Sequence, residues 1–546
     1  MATQASAGEI KYATSGLVRL TRPQLIGTLL GLALAALLAA IDQTIVGTAE
    51  PRIIASLSGF DRYPWVATAY LLTSTLSVPI FASLSDIHGR KPFFLLGSTL
   101  FVATSALCGA AGTLTFLPLD GMSQLILFRG LQGVGAGMVA GLLFTIIGDI
   151  FSPSERGRYV GLFAAVWGVA SIFGPTLGGW LTDQWSWRAC FWVNLPVGAI
   201  AVTAIYLEFP HMRPHAAARR LDWPGFATLT LCVVPLLLGL TWATEYGWGS
   251  TRVVWLLVFA AIMLAAFLSV EAKAAEPMIP LDLFRNPVIA ICSICVFVLG
   301  IGMFGVIIYL PLFMQGVLGV SATQSGNLLT PLMMGAVVGS FTSGQVVSRT
   351  GKYKPVAVAG SVLIAAGMIL FARMDAATAR SYVALGMVIA GLGMGLVQPV
   401  YTVAVQNVAP VRQMGAATSS TIFFRSIGST VGVAAFGSVM LTRYHTVFDR
   451  AVPAQVPSGL LMYFSNPLLL VQMRPQIEAT VAQTPGGLMA LQGVFLAVRS
   501  ALAESLELVF FWSAVIMVLA VLAHLMLRAE PLRTRAAEPD TSSMHP

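Results

Sequence analysis

Long apolar runs separated by short polar breaks dominate the chain. Fourteen stretches hold about 20 mostly apolar residues, the length a helix needs to cross a bilayer: 25–49, 64–84, 92–113, 122–148, 158–181, 191–208, 222–242, 252–271, 289–315, 323–347, 355–373, 380–408, 414–441 and 506–528. Residues 1–24 and 529–546 are polar. The first apolar run is long enough to span, so no cleavable signal peptide is expected. The widest break, 443–505, is mildly apolar and carries Pro453, Pro457, Pro467 and Pro475, which predicts a long, partly ordered external loop.

The pattern repeats. SDIHGRK at 85–91 resembles VSRTGKY at 347–353, and GVGAG at 133–137 resembles GLGMG at 391–395, at offsets of 262 and 258 residues. Each pair falls at the same point of the hydropathy cycle, as parallel transporter repeats do. The expected organisation is a cytoplasmic segment 1–24, a six-helix half 25–208, two accessory helices with linkers 209–288, a second six-helix half 289–528 and a cytoplasmic tail 529–546.

Composition sharpens the class. The 546 residues are 57% hydrophobic and 10% charged, against about 25% charged for a soluble domain, and mean hydropathy is +0.82. The net charge of +8 could suit nucleic acid, but the basic residues sit in short loops. Of the 31 Lys and Arg, nineteen fall in segments that are cytoplasmic if both termini are inside, ten fall outside and two within spans. That bias is the positive-inside pattern. The partner it implies is the lipid bilayer, not nucleic acid. The five cysteines show no disulfide framework. Cys292 and Cys295 form C-x-x-C inside a span with no acid or histidine nearby in sequence, so they read as packing residues, and no metal or other cofactor is expected.

Charges inside spans are costly and point to function. Asp42 lies about eight residues, or ~12 Å, from the outer end of the first span, and Arg129 about seven residues, or ~10 Å, from that of the fourth. At matching depth they are expected to pair. The pair is read first as a proton switch, with a static ion pair or a purely substrate-binding acid as alternatives. Glu50 is either a second proton-accessible acid or, as favoured, a solvated residue at the outer mouth paired with Arg52. Arg425, near the midplane, is structural or cavity-facing.

Several stretches resemble the major facilitator superfamily. SLSDIHGRK (83–91) is similar to its loop between the second and third helices, ILFRGLQGVGAG (126–137) to its fourth-helix motif, and GLFAAVWGVASIFGPTLGG (161–179) to the fifth-helix motif of its antiporters. IDQTIV with Pro51, WSWRACFWVNLPVG (185–198) and FFRSIGSTVG (423–432) resemble the fourteen-helix drug:proton antiporters of EmrB/QacA type. Ala82, Ala170, Ala189 and Glu50 depart from those patterns. The resemblance implies a charge cluster of Asp86, Arg90 and Asp149 at the cytoplasmic side, latching the outward-facing state and releasing on inward opening. The basic residues could instead only anchor topology. Gly89 would allow the tight reversal. Gly174 and Pro175 would form a close, gating contact between the halves, and ordinary close packing is the alternative.

Substrate contacts are expected among the polar and aromatic residues of the spans: Gln43, Gln132, Tyr309, Phe313, Gln315, Asn327, Gln398, Tyr401 and Arg425. The expected protein is an all-α polytopic membrane protein of the major facilitator fold, two six-helix halves plus two accessory helices, in the bacterial cytoplasmic (inner) membrane. Its expected activity is proton-coupled efflux of a multidrug or amphipathic small-molecule substrate by alternating access. A dedicated exporter of a lipid, siderophore or amino acid is the alternative, and a non-transporting receptor or scaffold ranks below it. No enzyme is expected, because no catalytic set shares one depth. Protons are the second partner, an envelope adaptor protein is a candidate third, and a monomer is expected.

Overall fold

The computed structural model describes residues 21–151, 153–210, 222–274, 277–410, 413–451, 467–472, 477–478 and 487–531. They form α1 (Arg22–Leu57), α2 (Tyr63–His88), α3 (Arg90–Gly109), α4 (Gly121–Ile150), α5 (Pro153–Gln184), a short α6 (Ala189–Trp192) and α7 (Asn194–Glu208). The pair α8 (Trp223–Tyr246) and α9 (Thr251–Glu271) follows. Then come α10 (Pro287–Leu312), α11 (Ala322–Thr350), α12 (Lys354–Phe371), α13 (Arg380–Val408), α14 (Met414–Ala451), a short α15 (Pro467–Gln472) and α16 (Gly487–Met526). The described residues contain no strand.

Thirteen helical stretches are long and apolar enough to cross a membrane. The fourteenth expected span is α11. It is also long, but its Ser, Thr, Gln and Gly residues make it more polar, and it packs against α13 and α5. Large apolar side chains such as Phe173 (65% exposed) and Trp255 (66%) face outward, as lipid-facing residues do. Polar residues start many helices: Asp120, Asp222, Ser250, Asn286 and Ser321 each accept a backbone N–H of the first turn of α4, α8, α9, α10 and α11, satisfying donors a helix start leaves free. Arg62 also holds Asp120, at 2.6 Å, and keeps that carboxyl well below the usual carboxylate range.

The two halves pack alike. α4 lies on α2 and α3 as α13 lies on α11 and α12; α1 meets α5 and α7 as α10 meets α14 and α16. The repeated glycines explain the match. A Cβ at Gly133 would strike the backbone of Tyr70 in α2, and one at Gly391 that of Leu332 in α11. Gly135 sits against Gly97 and Phe101 of α3, and Gly393 against Gly360 and Ile364 of α12. Small residues at these spacings let helix backbones touch. The accessory pair leans on both halves at once, with Leu229, Val233 and Phe267 packed around Leu72 and Leu76 of α2 and Phe423 and Ile427 of α14.

Helix lengths correct two boundaries. α14 runs to Ala451 and α16 starts at Gly487, so 443–451 and 487–505 are helical rather than loop. Their polar residues pair beyond the apolar span, as Arg443 does with Glu504 at 2.9 Å. Between them, α15 packs on α1 and α16. Residues 452–466, 473–476 and 479–486, like 1–20 and 532–546, lie outside the described residues. α1 likewise continues through Pro51 to Leu57, which carries residue 50 into the bundle.

Hydrogen bonds between the halves, among the described residues, all lie toward the end of the bundle that carries Tyr63. Tyr63 Oη donates to Ile308 O (3.4 Å), Gln315 Nε2 to Thr48 O (2.8 Å) and Thr323 N to Asp183 Oδ2 (2.7 Å). His445 and Asp61 meet at 3.0 Å, and Thr176 and Thr330 at 3.4 Å. Toward the opposite end, which carries Arg90, a Cβ at Gly161, Gly168 or Gly344 would meet nothing within 4 Å. The halves are closed at the Tyr63 end.

Candidate functional site

Asp42 and Arg129 do pair. α1 brings in Asp42 and α4 brings Arg129 with Gln132 one turn on, on the same face. Arg129 Nη1 meets Asp42 Oδ2 at 2.5 Å and also donates to Gln132 Oε1 at 2.7 Å. Gln132 Nε2 donates to Asp42 Oδ1 at 2.9 Å. Asn194, at the start of α7, donates to the same oxygen at 3.1 Å and to Ser105 Oγ of α3 at 3.0 Å. The guanidinium stacks 4.2 Å over the Tyr70 ring, and its Nε reaches Val66 O at 3.4 Å. Side chains of α4 and α7 thus close on one carboxylate of α1, and Ser105 of α3 backs Asn194. Asp42 is 0% exposed, Arg129 3% and Asn194 1%.

That closure has an energetic meaning. Two charges removed from water keep their separation energy low only if every remaining donor and acceptor is used. Here Asp42 accepts from three side chains and Arg129 donates to three acceptors. In this conformation both groups are shielded from solvent.

Asn194 escaped the sequence reading. It stood inside WSWRACFWVNLPVG, but it is neutral, and the acid of its span, Glu208, lies at the far end. Ser105 and Cys108, which approaches Gln132 Oε1 at 3.7 Å, carried no signal either.

Glu50 requires a correction. It is 1% exposed, its Oε1 has no hydrogen-bond partner, and it neighbours the hydroxyls of Tyr63 and Tyr309. Arg52 reaches Asp183 instead, at 3.8 Å. The favoured picture of a solvated Glu50–Arg52 pair fails because α1 extends past Pro51 and turns residue 50 into the seam between α1, α2 and α10.

The Arg90 cluster is present. Arg90 Nε donates to Asp149 Oδ2 at 2.9 Å, Nη1 pairs with Asp86 one turn back and reaches Ser85 Oγ at 2.7 Å. Lys91 Nζ caps the end of α7 through Tyr206 O at 2.8 Å. Gly89 has φ +98° and joins α2 to α3 without a linker. The expected release on opening of this end is not what this conformation holds. The cluster is intact while the halves close at the far end, because all its members sit on α2, α3 and α4 of one half. Gly174 packs on Thr44 of α1, and Pro175 O on Gly326 of α11, so α5 is wedged between the two halves.

The proposed substrate residues are not brought together. Gln132 belongs to the Asp42 network, and Gln43 lies beside it near the Tyr70 hydroxyl. Tyr309 donates to Val433 O at 2.8 Å and stacks on Tyr63, Gln315 binds Thr48 O, and Phe313 is buried edge-on to Phe510. In this state those three are packing and seam residues, because α10 ends in a π-helical turn, Phe313–Val317, that is wholly buried. Tyr401 is buried against His524 Nε2 at 2.8 Å. Asn327 is exposed. Arg425 Nη1 donates to Gln398 Oε1 at 2.9 Å, and both side chains are half-buried. Among the described residues no group of three His, Cys, Asp or Glu side chains is placed to hold a metal ion.

Comparison with known proteins agrees with the architecture. Residues 32–433 match the Major Facilitator Superfamily. The chain is 36% identical to the multidrug transporter protein MdtP of Bacillus subtilis, over 93% of this chain and 94% of that one. It is 34% identical to multidrug resistance protein 3 of the same organism, over 93% and 96%. Among solved structures it superposes on a bacterial homologue of the human lysosomal transporter Spinster in an inward-facing conformation (TM-score 0.60, 17% identity, 94% of this chain and 100% of that one). It also superposes on a POT family peptide transporter (TM-score 0.61, 14% identity, 93% and 99%). With its paired six-helix halves, accessory hairpin and match over most of its length, the chain belongs to the Major Facilitator Superfamily and is a multi-pass membrane transporter.

Proposed function

We propose that the protein is a proton-coupled exporter of amphipathic small molecules, of the fourteen-helix drug:proton antiporter type, working by alternating access. The observation that carries the coupling is the sealed Asp42–Arg129–Gln132–Asn194 network, a carboxylate held by separate helices that must part before it can titrate. The names of the two Bacillus relatives support export of drug-like compounds. The excess of Lys and Arg in the loops at the Arg90 end supports a cytoplasmic position for that end, in a bacterial inner membrane on this reading. The conformation described is then inward-facing, with Asp42 ionised against Arg129. When the Tyr63 end opens, Asp42 takes a proton from outside and Arg129 is released. Return to the inward state and rebinding of Arg129 drives the proton into the cytoplasm. Glu50, buried at the seam that must open, is a second acid available to that cycle.

Uptake of a fluorescent amphiphile into inverted membrane vesicles tests this reading. Acidification of the vesicle lumen is expected to drive uptake, and nigericin, which collapses the pH difference, is expected to abolish it. Uptake that persists unchanged with nigericin would rule out coupling to the proton gradient.

A further inference from the structure

We propose that Arg425 receives an acidic group of the transported molecule, so that the compounds carried are amphipathic anions rather than lipophilic cations. The proposal rests on the transporter reading above and names its substrate class.

Arg425 lies eleven residues into α14, about 16 Å along the helix from its start at the Arg90 end. It is inside the bundle and partly buried. Among the described residues its side chain has one hydrogen-bond partner, Gln398 Oε1 at 2.9 Å, and no ion-pair partner. The helices around it in its own half offer no acid at its level. α10, α11, α12 and α13 contain no Asp or Glu, and the one acid of α14, Asp449, is at the opposite end. Glu504 and Glu507 of α16 are exposed. In the other half Asp42 is already saturated by Arg129, Gln132 and Asn194.

A guanidinium cannot shed its proton to escape this position. An unpaired charge at such depth is costly unless it faces water or an anion. Its charge therefore persists through the cycle, whereas that of Asp42 can be cancelled by a proton. The fork of N–H donors fits a carboxylate or phosphate with two parallel bonds. Gln398 occupies one of those donors and holds the group in place. Two turns nearer the Arg90 end, Gln406 Nε2 donates to Thr418 Oγ1 at 3.3 Å on the same pair of helices, α13 and α14. Between that end and Arg425, α13 and α14 thus carry polar side chains and no acid of their own, and Glu530 lies beside Asn407 and Val408 at the Arg90 end of α13. The face beside Arg425 attracts an anionic head and gives a cation no counter-charge at its level.

Three probes test the proposal on the full-length protein in nanodiscs of zwitterionic lipid: a dansyl-tagged undecanoate, its methyl ester and the matching quaternary ammonium. The carboxylate is expected to bind at least about tenfold tighter than the ester. Arg425→Gln is expected to make the two bind alike, with Arg425→Lys retaining part of the difference, and with thermal unfolding confirming that each variant is folded. Equal binding of all three probes to the wild type, or a preference untouched by Arg425→Gln, would overturn the proposal and leave the exporter reading standing. No binding of any probe to folded protein would count against both. Adding phosphatidylglycerol to the discs identifies the bearer of the acid. Competition with the undecanoate assigns the site to a lipid headgroup and supports an anion site at Arg425, whereas binding that phosphatidylglycerol leaves unchanged assigns it to the free amphiphile.

Discussion

Removing Arg129 alone is expected to destabilise the protein by about 3–5 kcal/mol, because Arg129→Ala leaves the carboxylate of Asp42 buried without its counter-charge. Asp42 would keep Gln132 and Asn194 as donors, but neutral amides do not offset a full charge in a medium that excludes water. The double variant Asp42→Asn with Arg129→Met is expected to lose much less, since it removes both charges and fills the same space. The comparison is made by titrating each variant from mixed micelles with a denaturing detergent and following helix content. If Arg129→Ala were as stable as the double variant, the pair would not be the closed ion pair described, and Asp42 would be neutral in this conformation.

The second large effect is expected at the seam. Gly326 of α11 lies against the carbonyl of Pro175, and Gly179 of α5 against that of Ala322. A side chain at either position meets backbone, which cannot yield as a side chain tip can. Within one half, such a clash would strain packed helices by about 1–3 kcal/mol. Between halves that rock apart, the cheaper response is separation. Gly326→Leu is therefore expected to abolish transport while the protein stays folded, by holding the Tyr63 end open. Cysteines placed at Thr176 and Thr330, whose hydroxyls stand 3.4 Å apart, report on the seam, and the native cysteines are all buried. In the otherwise unaltered chain the introduced pair is expected to cross-link readily. With Gly326→Leu the rate is expected to fall by about tenfold or more, in line with the strain energy above. Unchanged cross-linking and transport would show that this end is not a moving contact.

What the sequence could show depended on whether a residue's role was local. The spans were legible because hydrocarbon selects for uninterrupted apolar runs, and the two halves because GVGAG and GLGMG solve the same packing problem twice. Asp42 and Arg129 were legible from depth alone, since two costly charges at one level find each other. Asn194 was not, because a neutral amide at a helix start is unremarkable until Asp42 of α1 and Ser105 of α3 are seen to meet it. Glu50 was misplaced for a similar reason. A Glu-Pro-Arg sequence reads as the end of a helix, yet the fixed φ of Pro51 is compatible with helix, and α1 carries on for another turn and a half. The extensions of α14 and α16 were set by contacts with other helices, which hydropathy does not encode. The scatter of Tyr309, Phe313 and Gln315 away from Arg425 follows from the same limit: residue type marked them as pocket-forming, while Gln315 and Tyr309 are taken up at the closing seam by Thr48 and Tyr63 and Phe313 by Phe510 of its own half.

Counting protons on substrate binding tests most directly whether Asp42 is the coupling group. Purified protein in weakly buffered detergent solution at mildly acidic pH is mixed with a transported amphiphile, and the released protons are followed with a pH-indicator dye. The account predicts that binding draws the outward-facing, protonated fraction of wild type into the inward-facing state, where Arg129 displaces the proton from Asp42. Wild type then releases protons, and Asp42→Asn binds the same compound without releasing any. Equal proton release from both proteins would contradict it, leaving Asp42 as a structural partner of Arg129 and moving the coupling to another acid, with Glu50 at the seam the next to be tested.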